Sequence, residues 1–122
     1  MNFLTALRTV MALHVVAALF QSVTAGMLLS SADGRALHVA SGLALAGIGA
    51  IHVLLSILVW RPGRGSPAFI PSAVILLAAT AIAAMLGEAG IKELHLPLGV
   101  AIFGGTVVQL FRAMSSRTPA AA

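Results

Sequence analysis

Four apolar runs limit what this chain can become: residues 10–29, 36–60, 68–86 and 91–110, each close to the ~20 residues an α-helix needs to cross ~30 Å of hydrocarbon. In lipid a single segment must pair its own backbone N–H and C=O groups, and only a helix does so within one run. With 60% hydrophobic and 8% charged residues in 122, and a mean hydropathy of +1.08, the chain has more apolar surface than a soluble core of its size conceals. The breaks are turn-rich: Ser30, Ser31, Asp33 and Gly34, then Pro62, Gly63, Gly65 and Pro67, then Gly87 and Gly90. Links this short make consecutive helices antiparallel neighbours. The expected fold class is all-α, a four-helix transmembrane bundle running up-down-up-down as one domain over 1–114, with a short polar tail over 115–122. No internal repeat is visible.

Charge placement orients the bundle. Arg8, Arg61, Arg64, Arg112 and Arg117 fall on one side, and Asp33, Arg35, Glu88, Lys92 and Glu93 on the other. The positive-inside rule then puts both termini and the middle loop in the cytoplasm. The net charge of +4 is spread over segment ends without a basic stripe, so it speaks for topology and against nucleic acid. Richness in Ala and Gly, Arg in preference to Lys and no organelle-targeting segment fit a bacterial plasma membrane. A signal-peptide reading of the first run, with Val23-Thr24-Ala25 before Gly26, competes with this assignment; cleavage would leave three spans and remove His14.

Within this frame the four histidines can be given depths. His38 lies three residues after Arg35 and His95 three after Lys92, so each sits ~4.5 Å inside its outer basic anchor by helical rise. His14 is six residues after Arg8 and His52 nine before Arg61, ~9 and ~13 Å from the inner anchors. The outer pair joins the second and fourth helices, and the inner pair the first and second. His38 and His52 are fourteen residues apart, which returns to within ~40° of one helix face at a separation of ~21 Å. Fourteen residues after His95 stands Gln109, so an inner cofactor would need His14 as its second ligand.

Intramembrane ionisable residues mark functional sites, and imidazoles paired across helices suit six-coordinate haem. The expected cofactor is haem b, two per chain, with metal ligands His38/His95 outside and His14/His52 inside. Basic residues near each level, Arg35 and Lys92 outside and Arg8 and Arg61 inside, either meet haem propionates or serve topology alone. Gly42, Gly47, Gly49, Gly99, Gly104 and Gly105 either make room for flat macrocycles or provide ordinary close packing. Gln21, seven residues from His14, either hydrogen-bonds a cofactor or quinone or links two helices. Met11, Met27 and Met85 are candidate alternative axial ligands, with packing as their ordinary role.

Other chemistries are disfavoured. All three acidic residues lie in outer loops or at a helix rim, so no mid-membrane carboxylate serves a proton-coupled exporter. The absence of cysteine removes disulfides, thiolate metal sites, iron-sulfur clusters and covalent c-type haem. Catalytic hydrolase, zincin and phosphate-loop motifs are missing. Two histidine pairs at different depths do not supply three or four ligands to one zinc ion.

The stretches Leu37-His38-Val39-Ala40-Ser41-Gly42 and Leu94-His95-Leu96-Pro97-Leu98-Gly99 resemble the openings of the second and fourth helices in one four-helix half of the haem A synthase family. The resemblance spans most of the chain in architecture, through short motifs, and implies His38 and His95 as an axial pair. That family carries a glutamate shortly before the helix-two histidine, where this chain has Gly34 and Arg35. The second pair, with two histidines fourteen apart on one helix, is similar to the dihaem membrane cytochromes b. The resulting expectation is a small integral-membrane dihaem cytochrome b, a transmembrane oxidoreductase element that moves electrons between the two faces. A single-haem binding or sensing module and a haem-free accessory subunit are the alternatives. Lipid is the expected partner, with an unnamed redox donor and acceptor, a quinone among the candidates; self-association is left open.

Overall fold

The computed structural model describes residues 2–116. Four helices account for nearly all of them: α1 Phe3–Ser30, α2 Gly34–Trp60, α3 Phe69–Glu88 and α4 Lys92–Ser115. No strand occurs among the described residues. All four are long and apolar enough to cross a membrane. Most of the 115–122 tail, Arg117 included, lies outside the described residues.

The helices begin and end where local chemistry directs. Asn2 caps α1, its side-chain oxygen accepting from the Leu4 and Thr5 N–H groups at 3.2 and 3.4 Å. The helix thus starts seven residues before the apolar run, carrying Arg8 within it. There Arg8 donates from Nε to the Ala113 carbonyl at 3.0 Å and from Nη2 to the Ser116 carbonyl at 2.5 Å. These contacts serve carbonyls at the end of α4, where among the described residues Ala113 otherwise accepts only from the Ser116 N–H at 3.3 Å. At the α1–α2 link the Met27 and Leu28 backbone lies where a Cβ on Gly34 would sit, so only glycine fits. Gly90, at φ 73°, turns the chain from α3 into α4.

Each helix packs against two others: α1 against α2 and α4, and α3 against α2 and α4, with α1–α2 the most extensive pairing. α1 and α3, like α2 and α4, stand across the bundle from one another. The contacts on α1 and α2 run in opposite senses, His14 meeting His52 while Thr24 meets Ser41.

Apolar side chains occupy the exterior as well as the core, and the interior also holds polar groups. Large apolar side chains such as Leu29, Leu43, Ile75, Val100 and Phe111 cover the exterior, while His14, Thr24, Ser41, His52, Ser56, Thr80, Thr106 and Gln109 are buried. An exterior this apolar has lipid as its natural solvent. An apolar cluster of Leu4, Leu7, Val10, Met11, Val59, Phe69 and Ala113 closes the end of the bundle where α1 starts.

Candidate functional site

Two clusters of interior polar groups are each built around one pair of histidines. In the outer cluster His38 of α2 and His95 of α4 face one another across the bundle, ring centres 6.0 Å apart and planes at 74°. His95 Nδ1 lies 2.7 Å from the Ala83 carbonyl of α3. A carbonyl can only accept, so His95 carries its proton on Nδ1 and its electron pair on Nε2. The ring reaches that carbonyl because residue 87 is glycine: a Cβ there would stand 3.0 Å from His95 Cε1 and 3.1 Å from Nδ1.

Three side chains surround His38. Thr24 Oγ1 is 3.2 Å from His38 Nδ1 and donates to the Gln21 carbonyl at 2.9 Å. Its single proton is thereby spent, so toward His38 Nδ1 it can act only as an acceptor. The Gln21 amide nitrogen stands 3.2 Å from His38 Nδ1 and 3.3 Å from Nε2, so as a donor it can serve whichever of the two carries the electron pair; it also reaches the His38 carbonyl at 3.2 Å. Ser41 closes the network by donating to Gln21 Oε1, with its hydroxyl 2.9 Å from Thr24 Oγ1. With Gln21 donating to Nε2 and Thr24 accepting from Nδ1–H, His38 takes the tautomer that the Ala83 carbonyl imposes on His95, protonated at Nδ1 with the electron pair on Nε2; Gln21 donating to Nδ1 gives the other.

The form protonated at Nδ1 is the tautomer of a metal-ligating histidine, whose second nitrogen is held by a carbonyl or another acceptor. Two imidazoles bound to opposite faces of one metal place their facing nitrogens about 4 Å apart, twice a metal–imidazole bond, and hence their ring centres about 6 Å apart. The ring centres of the outer pair, 6.0 Å apart, stand near that separation.

The inner cluster differs. His14 of α1 and His52 of α2 are each 1% exposed, with ring centres 5.4 Å apart and planes at 88°. Their Nδ1 atoms face each other at 3.2 Å, one donating to the other. Both Nε2 atoms are buried without a hydrogen-bond partner, as is Oε1 of Gln109. A Cβ at Gly49 would rest in ordinary contact with the His14 ring, 3.7 Å from its Cε1, and more tightly against Leu77 Cδ1 at 3.3 Å. Ser56 donates to the His52 carbonyl at 2.8 Å.

Other sequence candidates are dispersed. Arg35 is exposed and 3.6 Å from Glu88, Arg61 stacks 5.2 Å over the Trp60 ring, and Lys92 is exposed. Arg8 is committed to the end of α4. Gly42 faces the Gln21 amide, where a Cβ would approach to 3.2 Å, while one at Gly47, Gly99 or Gly104 would meet nothing within 4 Å. Met11 is buried in the apolar end cluster, and Met27 and Met85 are exposed. Among the described residues no three of His, Asp and Glu gather into a metal site. Thr24, Ser41, Gly87 and the Ala83 carbonyl escaped the sequence reading. Thr24 and Ser41 could have been found by asking which polar residues share His38's depth. No protein-family model, curated protein or solved structure matches this chain.

Proposed function

We propose that this is a multi-pass membrane haem protein in which His38 and His95 supply the axial imidazoles of one b-type haem. The observation that carries the reading is the outer pair: two rings 6.0 Å apart, reaching toward one another from helices that stand across the bundle, His95 with Nδ1 held by the Ala83 carbonyl and Nε2 left as the basic nitrogen, and His38 held by Thr24 and Gln21. Such a haem supplies one-electron redox chemistry, and two imidazoles leave no open iron position, which favours electron carriage or haem handling over oxygen binding. Gln21 is the group that must yield its contact with His38 Nε2, and Arg35 and Lys92 are the nearby cations for propionates. The bundle runs up-down-up-down in a bacterial plasma membrane with both termini cytoplasmic, so this site lies at the outer face, accessible to a redox partner or a quinone there. Purified protein tests the reading: one haem per chain with a bis-imidazole spectrum, lost in His38→Ala and His95→Ala and retained in His14→Ala.

A second reading, the dihaem cytochrome b with a path between both faces, draws support from the inner pair. Two imidazole nitrogens buried without partners are ligands in waiting, and His52 shares a helix with His38. It requires the rings to part, because their facing nitrogens stand at 3.2 Å against the about 4 Å across one metal, between the two most closely packed helices. Two haems per chain, one lost in His14→Ala, would favour it. A haem-free accessory subunit would leave all four replacements spectrally silent.

A further inference from the structure

We propose that the groove between the start of α3 and the end of α4, at the end of the bundle that carries Arg8, holds one phospholipid with a net negative headgroup, its phosphate on Arg112 and an acyl chain along α4. The inference is independent of haem and needs only the chain's residence in a bilayer.

The groove has a volume of about 430 Å³, and its walls include Ser66, Phe69, Phe111, Arg112, Ser115 and Ser116. Its size falls within the ~300–1,000 Å³ of small-ligand sites. The donors on this wall can be counted. Ser115 and Ser116 donate their hydroxyl protons to the Phe111 and Arg112 carbonyls at 3.0 and 2.9 Å, which leaves the groove only their electron pairs. Ser66 accepts from the Ala68 N–H at 3.2 Å and keeps its own proton for a further acceptor. Among the described residues the Arg112 guanidinium has neither an ion pair nor a hydrogen bond to the protein. A guanidinium fork and a hydroxyl on one cavity wall complement a phosphate group, which accepts several hydrogen bonds and carries negative charge.

The surroundings select the ligand further. All three acidic side chains, Asp33, Glu88 and Glu93, lie at or beside the two links at the opposite end of the bundle. A headgroup that carries its own ammonium therefore finds no carboxylate side chain here, whereas a net negative one meets Arg112 in a field to which Arg8, Arg61 and Arg64 add. A second copy of the chain, inserted in the same sense, brings no acidic side chain to Arg112 either.

The groove opens onto an apolar track. At ~100° per residue, Ala101, Gly104, Val108, Phe111, Arg112 and Ser115 fall within ~100° of arc on α4, and all six are exposed. From Ala101 to Arg112 the helix rises about 16 Å, close to one leaflet's half of the ~30 Å hydrocarbon. Gly104, where a Cβ would meet nothing within 4 Å, leaves a depression in this face. A free phosphate would use the polar end alone. A phospholipid uses both the polar end and the track, and that continuity assigns the groove to a lipid.

The test uses the full chain in detergent micelles, titrated separately with phosphatidylglycerol and phosphatidylcholine and followed by native mass spectrometry. The expected result is one phosphatidylglycerol per chain, bound at least tenfold more tightly than phosphatidylcholine and not displaced by a large excess of inorganic phosphate. Arg112→Gln should weaken phosphatidylglycerol at least tenfold and leave phosphatidylcholine unchanged. Arg112→Lys, which keeps the charge without the fork, should lose severalfold and serves if the glutamine variant does not fold. Gly104→Leu fills the track and should also weaken phosphatidylglycerol severalfold. Arg64→Asn removes the same charge from the same end outside the groove, with a residue that tolerates φ 57°, and should bind as the parent does. Equal affinity for the two lipids, equal losses in Arg112→Gln and Arg64→Asn, displacement by phosphate, or a dimer that excludes phosphatidylglycerol would overturn the proposal. Absence of haem at His38 and His95 would remove the haem reading and leave these outcomes unchanged.

Discussion

Replacing Gly87 by alanine puts one methyl group against the ring of His95 while leaving the ring's own chemistry intact. The added Cβ would stand 3.0 Å from Cε1 and 3.1 Å from Nδ1, and carbon atoms rest at about 3.5–4.0 Å, so the ring must retreat by roughly half an ångström. The contact most exposed to that movement is the 2.7 Å hydrogen bond from Nδ1 to the Ala83 carbonyl. A neutral hydrogen bond contributes about 0.5–1.5 kcal/mol, and loss of the group that orients a metal-bound histidine weakens metal affinity by roughly 10–100-fold. The two figures overlap near 1.4 kcal/mol, a factor of about ten. Haem titrated into the cofactor-free protein in nanodiscs, followed by its absorption band, should give a Kd about tenfold weaker for Gly87→Ala than for the unaltered chain. Gly99→Ala provides the control, because its Cβ would meet nothing within 4 Å, and it should bind as the parent does. Equal affinity for Gly87→Ala, or equal losses in both variants, would refute the link between the Ala83 contact and haem binding.

Thr24→Val keeps the shape of a fully buried side chain but removes the hydroxyl that stands against His38 Nδ1 and donates to the Gln21 carbonyl; the cost is about 1–3 kcal/mol of stability, with a shifted haem midpoint potential that Thr24→Ser should restore. Arg8→Gln removes charge-assisted bonds to the Ala113 and Ser116 carbonyls; hydrogen exchange should speed up over the last turn of α4 and remain unchanged in α3. Because the chain has no cysteine, single replacements at Arg64 and Ala89 report the topology cleanly: an impermeant maleimide applied to intact cells should label Ala89→Cys and reach Arg64→Cys only after lysis.

The architecture was legible because a bilayer leaves so few options. Four runs of spanning length specify four helices, and short turn-rich links specify the order of neighbours. The ends shifted where polar chemistry decides: α1 starts at Phe3 rather than near residue 10 because Asn2 caps it, and Arg8 can be helical because it is paired with α4. The two histidine pairings followed from depth alone, since helical rise matched His38 with His95 and His14 with His52, and these are the rings that meet. Depth carries no azimuth, however. Gly99 shares its helix and level with the outer site yet projects outward, whereas Gly87, read only as a turn residue, sets the position of His95. Nor does depth say which nitrogens face each other. The outer rings are spaced by helices on opposite sides of the bundle, while the inner ones belong to adjacent helices and come into direct contact. That difference separates two rings held apart across the bundle from two in direct hydrogen-bond contact.

The haem content of the purified protein, with spectra of the four single histidine replacements, tests the central claim most directly. The account predicts one b-type haem per chain, abolished by His38→Ala or His95→Ala and preserved in His14→Ala and His52→Ala. A chain that binds no haem, or whose haem survives the loss of both His38 and His95, would contradict it.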